Sequence, residues 1–330
     1  MTATAMDLPG FVWRGRVDVE ESGPSARWHQ HVRPFDAAAK DGVTLIGFAV
    51  DEGVRRNGGR PGAAQGPLAL RSALANLPLL GEPALFDAGD VGCAEGDLEA
   101  AQRQLGARVA RALEQDCLPL VLGGGHEVAW GTYQGIAAAR PPGERLLIVN
   151  LDAHFDLRRA ARGNSGTPFL QIHDHRAARA RGQPFDYRVF GISRYANTEA
   201  LFRRAEALGV GWRLDEALQF PDGLAEAQAA LAQDLAASDA VYLTLCLDVL
   251  PGAAAPGVSA PAPLGVPMAS VEALVDQIMR SGRVIAADIA ELNPTFDRDG
   301  LTARVAARLA ARIARGATPG YRGGERPPPA

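Results

Sequence analysis

Lysine is almost missing from this chain. Of 34 basic side chains in 330 residues, all but Lys40 are arginine. That excludes the lysine of a phosphate-binding P-loop in its usual motif and argues against a buried Schiff-base lysine. Cysteine is scarce as well. Cys93, Cys117 and Cys246 stand far apart with no CxxC pair, which excludes a disulfide framework and a structural zinc ribbon. No stretch reaches the ~20 apolar residues of a bilayer span. The first residues lack a basic segment followed by an apolar run, so no secretory leader is read and the expected location is cytoplasmic. Neither sign of charge dominates, since 34 basic residues face 38 acidic ones for a net charge of −4. A nucleic-acid binder would show a basic stripe, and a membrane partner is equally unsupported. What is present is ordinary globular material, 47% hydrophobic and 22% charged.

Six short apolar runs punctuate the chain: Val43–Val50, Leu118–Leu122, Leu146–Leu151, Tyr187–Ile192, Val241–Leu247 and Val284–Ile289. Each is rich in Val, Ile and Leu and apolar on both parities, the pattern of a strand buried on both faces. Amphipathic segments lie between them. Asp97 is placed to cap a helix to about Gln115, Asn197 to cap Thr198–Leu208, Ser270 with Glu272 to open Val271–Arg280, and Asp299 to open Leu301–Arg315. Alternating strands and helices predict an α/β fold, a mostly parallel central sheet covered on both faces. No linker divides the middle, so one domain over residues 1–330 is expected. Residues 1–40 would be an N-terminal arm, and about 318–330, rich in Gly, Arg and Pro, a disordered tail.

In such sheets ligands bind at the carboxyl ends of the strands. Four of these ends carry chemistry here. They are Gly123-Gly124-Gly125-His126-Glu127, then Asp152-Ala153-His154-Phe155-Asp156, then Cys246-Leu247-Asp248, then Ala290-Glu291-Leu292-Asn293-Pro294. Asp152, His154 and Asp156 are two apart, so in extended chain they point the same way. With His126 and Asp248 they make two imidazoles and three carboxylates, a set that suits Mn²⁺ better than structural zinc. Clustered carboxylates repel one another unless cations neutralise them, and a pair of metals would also supply a nucleophile from water. Taken singly, each motif has a plainer reading. The Asp-His-Asp triplet also fits a helix cap beside a surface histidine, and the glycine triplet a tight turn. Four successive strand ends together favour a metal site.

At these residues the chain resembles the ureohydrolase superfamily of arginases, agmatinases and formimidoylglutamases, from about Val43 to Arg315. The superfamily's three signatures read here as Gly124-Gly125-His126, Asp152-Ala153-His154-Phe155-Asp156 and Thr244-Leu245-Cys246-Leu247-Asp248. A fourth element, Asp288 to Pro294, is similar to the segment whose Glu pairs with the substrate's guanidinium or amidine, which here is Glu291. The details are most similar to formimidoylglutamases. They include the Gly-Gly-His-Glu turn, Arg158 two residues after Asp156, and Asn164-Ser165-Gly166-Thr167-Pro168-Phe169. The stretches Asp51 to Asn57, Gly191 to Thr198 and Ala255 to Ala260 add to them.

The resemblance implies a three-layer arginase-like α/β/α sandwich and hydrolysis of N-formimidoyl-L-glutamate to L-glutamate and formamide in histidine degradation. The rival readings are another ureohydrolase, acting on a guanidino acid or agmatine with release of urea, and a metal-binding homologue that no longer hydrolyses anything. The implied metal ligands are His126, Asp152, His154, Asp156, Cys246 and Asp248, with two Mn²⁺ per subunit. Asp156 and Glu291 would be catalytic. Arg158, Ser165, Thr167, Asn57, Arg194 and Glu291 would bind substrate. The extra arginine suits a substrate with two carboxylates, because guanidinium pairs with carboxylate bidentately. Arg55 and Arg60 are further candidates. Superfamily members are often trimers or hexamers, which implies a homo-oligomer. One residue departs from the pattern: Cys246 stands where the superfamily has an acid bridging both metals. A thiolate ligand, a weakly held second metal and loss of hydrolysis are the three consequences open at this point.

Overall fold

The structure is a computed structural model and describes residues 6–8, 10–20, 25–81, 83–179 and 185–317. Ten strands form one sheet: β1 (Met6–Leu8), β2 (Val32–Pro34), β3 (Val43–Ala49), β4 (Leu85–Gly92), β5 (Leu118–Leu122), β6 (Leu146–Leu151), β7 (Tyr187–Ile192), β8 (Gly211–Leu214), β9 (Ala240–Cys246) and β10 (Val284–Ala290). Their order is β1-β4-β3-β5-β10-β9-β6-β7-β8, with β2 also on β4. All pairings are parallel except β1 with β4. All six apolar runs are strands. The short strands β1, β2 and β8 give no comparable apolar signal, and neither does the longer β4, whose Leu85–Gly92 run carries Asp87 and Asp90. The expected arm at residues 1–40 is partly woven into the sheet through β1 and β2, and Trp28 is buried beside it. The expected tail at 318–330 lies outside the described residues.

Helices cover both faces. Gly66–Ala75, Pro221–Ala237, Met268–Arg280 and Leu301–Gly316 pack with one apolar cluster, and Leu98–Glu114, Val128–Ala139, Pro168–Arg179 and Glu199–Ala207 with the other. The result is a three-layer α/β/α sandwich, as expected. The chain's β5 and β6 are consecutive in sequence but separated in the sheet by β10 and β9, so the crossovers diverge there and leave a crevice at the carboxyl ends.

Only one of the four expected helix caps holds. Asp97 accepts from Ala100 N at 2.9 Å and starts the helix Leu98–Glu114. Asn197 instead turns inward, donating to Ala153 O and Ser193 O and accepting from Phe155 N, and so braces the Asp-Ala-His segment. Ser270 sits inside the helix Met268–Arg280 and donates to Leu218 O. Asp299 has φ 52° and caps nothing, whereas Asp297 accepts from Thr302 N and Ala303 N. In each case a tertiary or nearby backbone partner outcompetes the local one.

Candidate active site

The loop after β5 crosses the carboxyl ends of β3 and β10. Gly125 N donates to Val50 O and Glu291 N to Gly124 O. A Cβ on Gly124 would lie 1.7 Å from Val50 O, so no other residue allows that crossing. The loop leaves His126 buried at the head of the helix Val128–Ala139, over β9 and β10. The segment after β6 brings Asp152, His154 and Asp156 beside it, and β9 adds Cys246 and Asp248. Asp156 (φ 47°) and Glu291 (φ 72°) both adopt the left-handed backbone region, a strain that non-glycine residues keep where a site needs it.

His126 Nδ1 lies 3.0 Å from Asp152 Oδ2 and 2.9 Å from Asp156 Oδ2. His154 Nδ1 lies 3.1 Å from Asp248 Oδ2 and 3.5 Å from Asp152 Oδ1. Ligand atoms of His126, Asp152 and Cys246 fall within 4.8 Å of one another, and so do those of Asp152, His154 and Asp248. Two candidate metal positions therefore share Asp152. The support beneath is hydrogen-bonded. Asn150 Nδ2 donates to Asp152 Oδ2 at 2.9 Å, and His154 N to Asp152 Oδ1 at 2.8 Å.

Charge is concentrated here. Burial works against both imidazoliums, yet the facing carboxylates push His126 and His154 well above the usual histidine range. Burial also opposes ionisation of Asp152, but the two histidines hold it below the usual carboxylate range. Burial pushes Glu291 up to about 8, with Glu127 and Asp248 adding to it. The Cys246 thiol is pushed well up by burial, then by Asp248 and Asp152.

Divalent cations fit this donor set. His126 Nδ1 is buried and makes no hydrogen bond, though two carboxylates stand about it. A buried polar atom left so costs stability unless something else binds it. Five donors are hard oxygen or imidazole nitrogen and suit Mn²⁺, and the Cys246 sulfur is the single soft one.

Above the cluster opens a cavity of about 200 Å³. Its walls include Asn57, Arg158, Ser165, Ser259 and Glu291 as well as His126, His154, Asp156, Cys246 and Asp248. Arg158 is exposed and has no ion-pair partner among the described residues. Asn57 Nδ2 donates to Ser165 Oγ at 3.1 Å, so helix Glu52–Arg56 and the 164–167 turn meet at the wall.

Four expected binders stand outside it or are otherwise engaged. Thr167 is buried in its own turn, where Oγ1 accepts from Asn164 N and bonds Gln171 Oε1. Arg194 does not reach the cavity and lies 3.6 Å from Glu216. Arg55 pairs with Glu52. Arg60 donates to Ser259 O and Val258 O, and lies over the Phe296 ring. One residue that sequence reasoning passed over is Glu127. It is fully buried, accepts from Gly53 N at 2.7 Å, and is pushed up to about 7 by burial. Its only signal was its place directly after His126.

Residues 41–315 match the arginase family. The formimidoylglutamase of Ralstonia nicotianae is 52% identical over 319 residues, covering 93% of this chain and 96% of that protein. That of Chromobacterium violaceum is 51% identical, covering 92% and 97%. Among solved structures, formimidoylglutamase from Bacillus subtilis superposes with a TM-score of 0.81 at 22% identity, covering 92% of this chain and 94% of its own. Formiminoglutamase from Trypanosoma cruzi with Mn²⁺ superposes with a TM-score of 0.74 at 25% identity, covering 86% and 97%.

Proposed function

This chain belongs to the arginase family, and from that premise we propose that it hydrolyses N-formimidoyl-L-glutamate to L-glutamate and formamide. The observation that carries this reading is the near-full-length match to bacterial relatives bearing that enzyme's name. The reaction adds water across the formimidoyl carbon and breaks its bond to the glutamate nitrogen, which leaves as an amine.

His126, Asp152, His154, Asp156, Cys246 and Asp248 would hold a pair of Mn²⁺ ions. Such a pair supplies a hydroxide nucleophile near neutral pH. The chain's own groups do the rest. The positive charge of the amidinium favours the ionised form of Glu291, which accepts charge-assisted hydrogen bonds from it and holds its carbon in reach. Glu291 Oε1 is already engaged by His126 N at 3.0 Å, while Oε2 is buried without a hydrogen-bond partner and is the atom left for the substrate. Arg158 pairs with a substrate carboxylate at the cavity wall, and Ser165 and Asn57 add neutral hydrogen bonds. Asp156 passes a proton to the leaving nitrogen. An amidine with two carboxylates fits one free arginine plus one buried acid better than agmatine does, since agmatine carries two positive charges.

The same reading makes the protein a cytoplasmic enzyme of histidine degradation, assembled from identical subunits. Three unpaired cysteines agree with a reducing compartment, and among the described residues no helix is long and apolar enough to cross a membrane. The test is a substrate comparison on Mn²⁺-supplemented protein. Glutamate release from N-formimidoyl-L-glutamate should far exceed urea release from a guanidino acid or agmatine. Faster urea release would move the site to guanidino substrates.

A further inference from the structure

Two segments far apart in the chain meet at the polar wall of the cavity. One is the end of the helix Glu52–Arg56, with Asn57. The other is the 163–167 turn, with Ser165. Gly166 fills the space between that turn, Asn57 and Arg158. Arg158 N donates to Gly166 O at 2.8 Å. A Cβ on Gly166 would lie 2.8 Å from Arg158 Cδ and 3.2 Å from Asn57 Nδ2. The places of the turn, of Asn57 and of Arg158 are therefore set together.

Among the described residues, two side-chain hydrogen bonds join the end of the helix to the turn. The first is the bond from Asn57 Nδ2 to Ser165 Oγ at the open wall. The second comes from Arg56, which does not line the cavity and whose side chain is only 8% exposed. The three guanidinium nitrogens of Arg56 make five hydrogen bonds. Nε donates to Glu52 Oε1 at 3.0 Å in its own helix. One terminal nitrogen donates to Gly163 O at 3.0 Å and to Glu99 Oε1 at 2.7 Å. The other donates to Gly96 O at 3.0 Å and to Glu99 Oε2 at 3.1 Å. Glu99 stands in the first turn of the helix Leu98–Glu114, which packs on the sheet. A planar fork thus ties three segments at fixed angles, which the single nitrogen of a lysine cannot reproduce. The start of the helix Glu52–Arg56 is held from the metal side, by the bond from Gly53 N to Glu127.

We propose that Arg56 is a positioning residue that sets substrate specificity. It ties the Asn57 end of its helix to the 163–167 turn, and so fixes how far the Arg158 seat stands from Glu291 and the metal cluster. That distance selects the chain length of an amidine carrying two carboxylates. The inference rests on the proposed reaction and adds the residue that sets its chain-length preference.

The test is steady-state kinetics of Mn²⁺-supplemented protein on N-formimidoyl-L-glutamate and on N-formimidoyl-L-aspartate, which is shorter by one methylene. Mn²⁺ content is measured alongside. The parent is compared with Arg56→Lys, Arg56→Met and Arg55→Met. Arg56→Lys keeps the charge and loses the fork. It should raise KM for the glutamate substrate roughly 10-fold with kcat within about threefold, and shrink the preference for that substrate over the shorter one by roughly 10-fold. Arg56→Met should do at least as much, and Mn²⁺ content should stay at the parent value in both. Arg55 is exposed and bonds only Glu52 among the described residues, so Arg55→Met should keep the parent KM.

Arg56→Lys with the parent KM and the parent preference would overturn the proposal. So would a loss confined to kcat or to Mn²⁺ content, which marks a merely structural residue, or an equal rise of KM in Arg55→Met. Should one Arg56 variant fail to fold, the other decides. A parent that releases no glutamate from its substrate removes the proposed reaction and this inference with it. A parent that turns over normally beside a parent-like Arg56→Lys removes this inference alone.

Discussion

The two faces of β6, β9 and β10 come from the same residues of the chain taken alternately, yet they carry different burdens. On one face stand Leu147, Val149 and Leu151, Leu243, Leu245 and Leu247, and Ala287 and Ile289. Every one is apolar and packed against helices. On the other face the rows begin apolar, with Ile148, Tyr242 and Ala286. They then become polar towards the carboxyl edge, first Asn150, Thr244 and Asp288, then Asp152 and Cys246. A period of two thus separates stability from chemistry within a single strand. The apolar face needs only volume and shape. On the polar face, each buried group needs a partner of the right sign, and the exceptions are where a ligand belongs.

The sharpest way to break that contrast is to substitute across it. Asp152→Asn removes the ligand shared by both candidate metal positions. Turnover should fall to background and Mn²⁺ retention with it, as metal analysis and a glutamate assay would show. Full turnover in this variant would end the site assignment. Leu245→Ala, on the opposite face, should cost about 2–5 kcal/mol of stability by urea unfolding. Its Mn²⁺ content per folded molecule should stay at the parent value. Loss of metal in that variant would show that the faces are not separable.

Smaller effects sharpen the picture at the cavity wall. Arg158→Ala should lower kcat/KM for the two-carboxylate substrate by about 10–100-fold, the worth of a charged hydrogen bond of about 1.5–3 kcal/mol. Arg194→Ala should leave it unchanged, since Arg194 stands outside the cavity beside Glu216. Equal losses in both would point to a diffuse basic field instead of one seat for a carboxylate.

The smallest effect is electrostatic. Arg55 and Arg56 hold Glu52 below the usual glutamate range, and Arg56 does the same for Glu99. Carboxylates with lowered folded values add stability above the unfolded value, near 4.5, and lose it as the pH falls below that. Arg56→Met should therefore lower the unfolding free energy from urea titration more at pH 7 than at pH 3, by less than about 1 kcal/mol for partly exposed pairs. An equal drop at both would assign Arg56 to its bonds with Gly96 O and Gly163 O instead.

Much of this is legible in the order of the residues alone. The six apolar runs mark the central strands because burial on both faces leaves little room for polar residues. The chemistry stands just past their ends, where a parallel sheet exposes it. Partnership is harder to read. Asn197 and Ser270 have the composition of helix caps but are recruited by backbone groups far away in the chain. Thr167 has a hydroxyl near the site and spends it on its own turn. Thr244 and Asp288 are visible as polar residues inside apolar runs, but only the strand order places them side by side under His126. Glu127 gives no sign of its bond to Gly53, 74 residues earlier.

The most direct test of the account is a crystal of the protein grown with Mn²⁺ and measured at the manganese absorption edge. Two anomalous peaks should appear, one among His126, Asp152 and Cys246 and the other among Asp152, His154 and Asp248. A single peak, or manganese bound away from the carboxyl edge of β6 and β9, would contradict it.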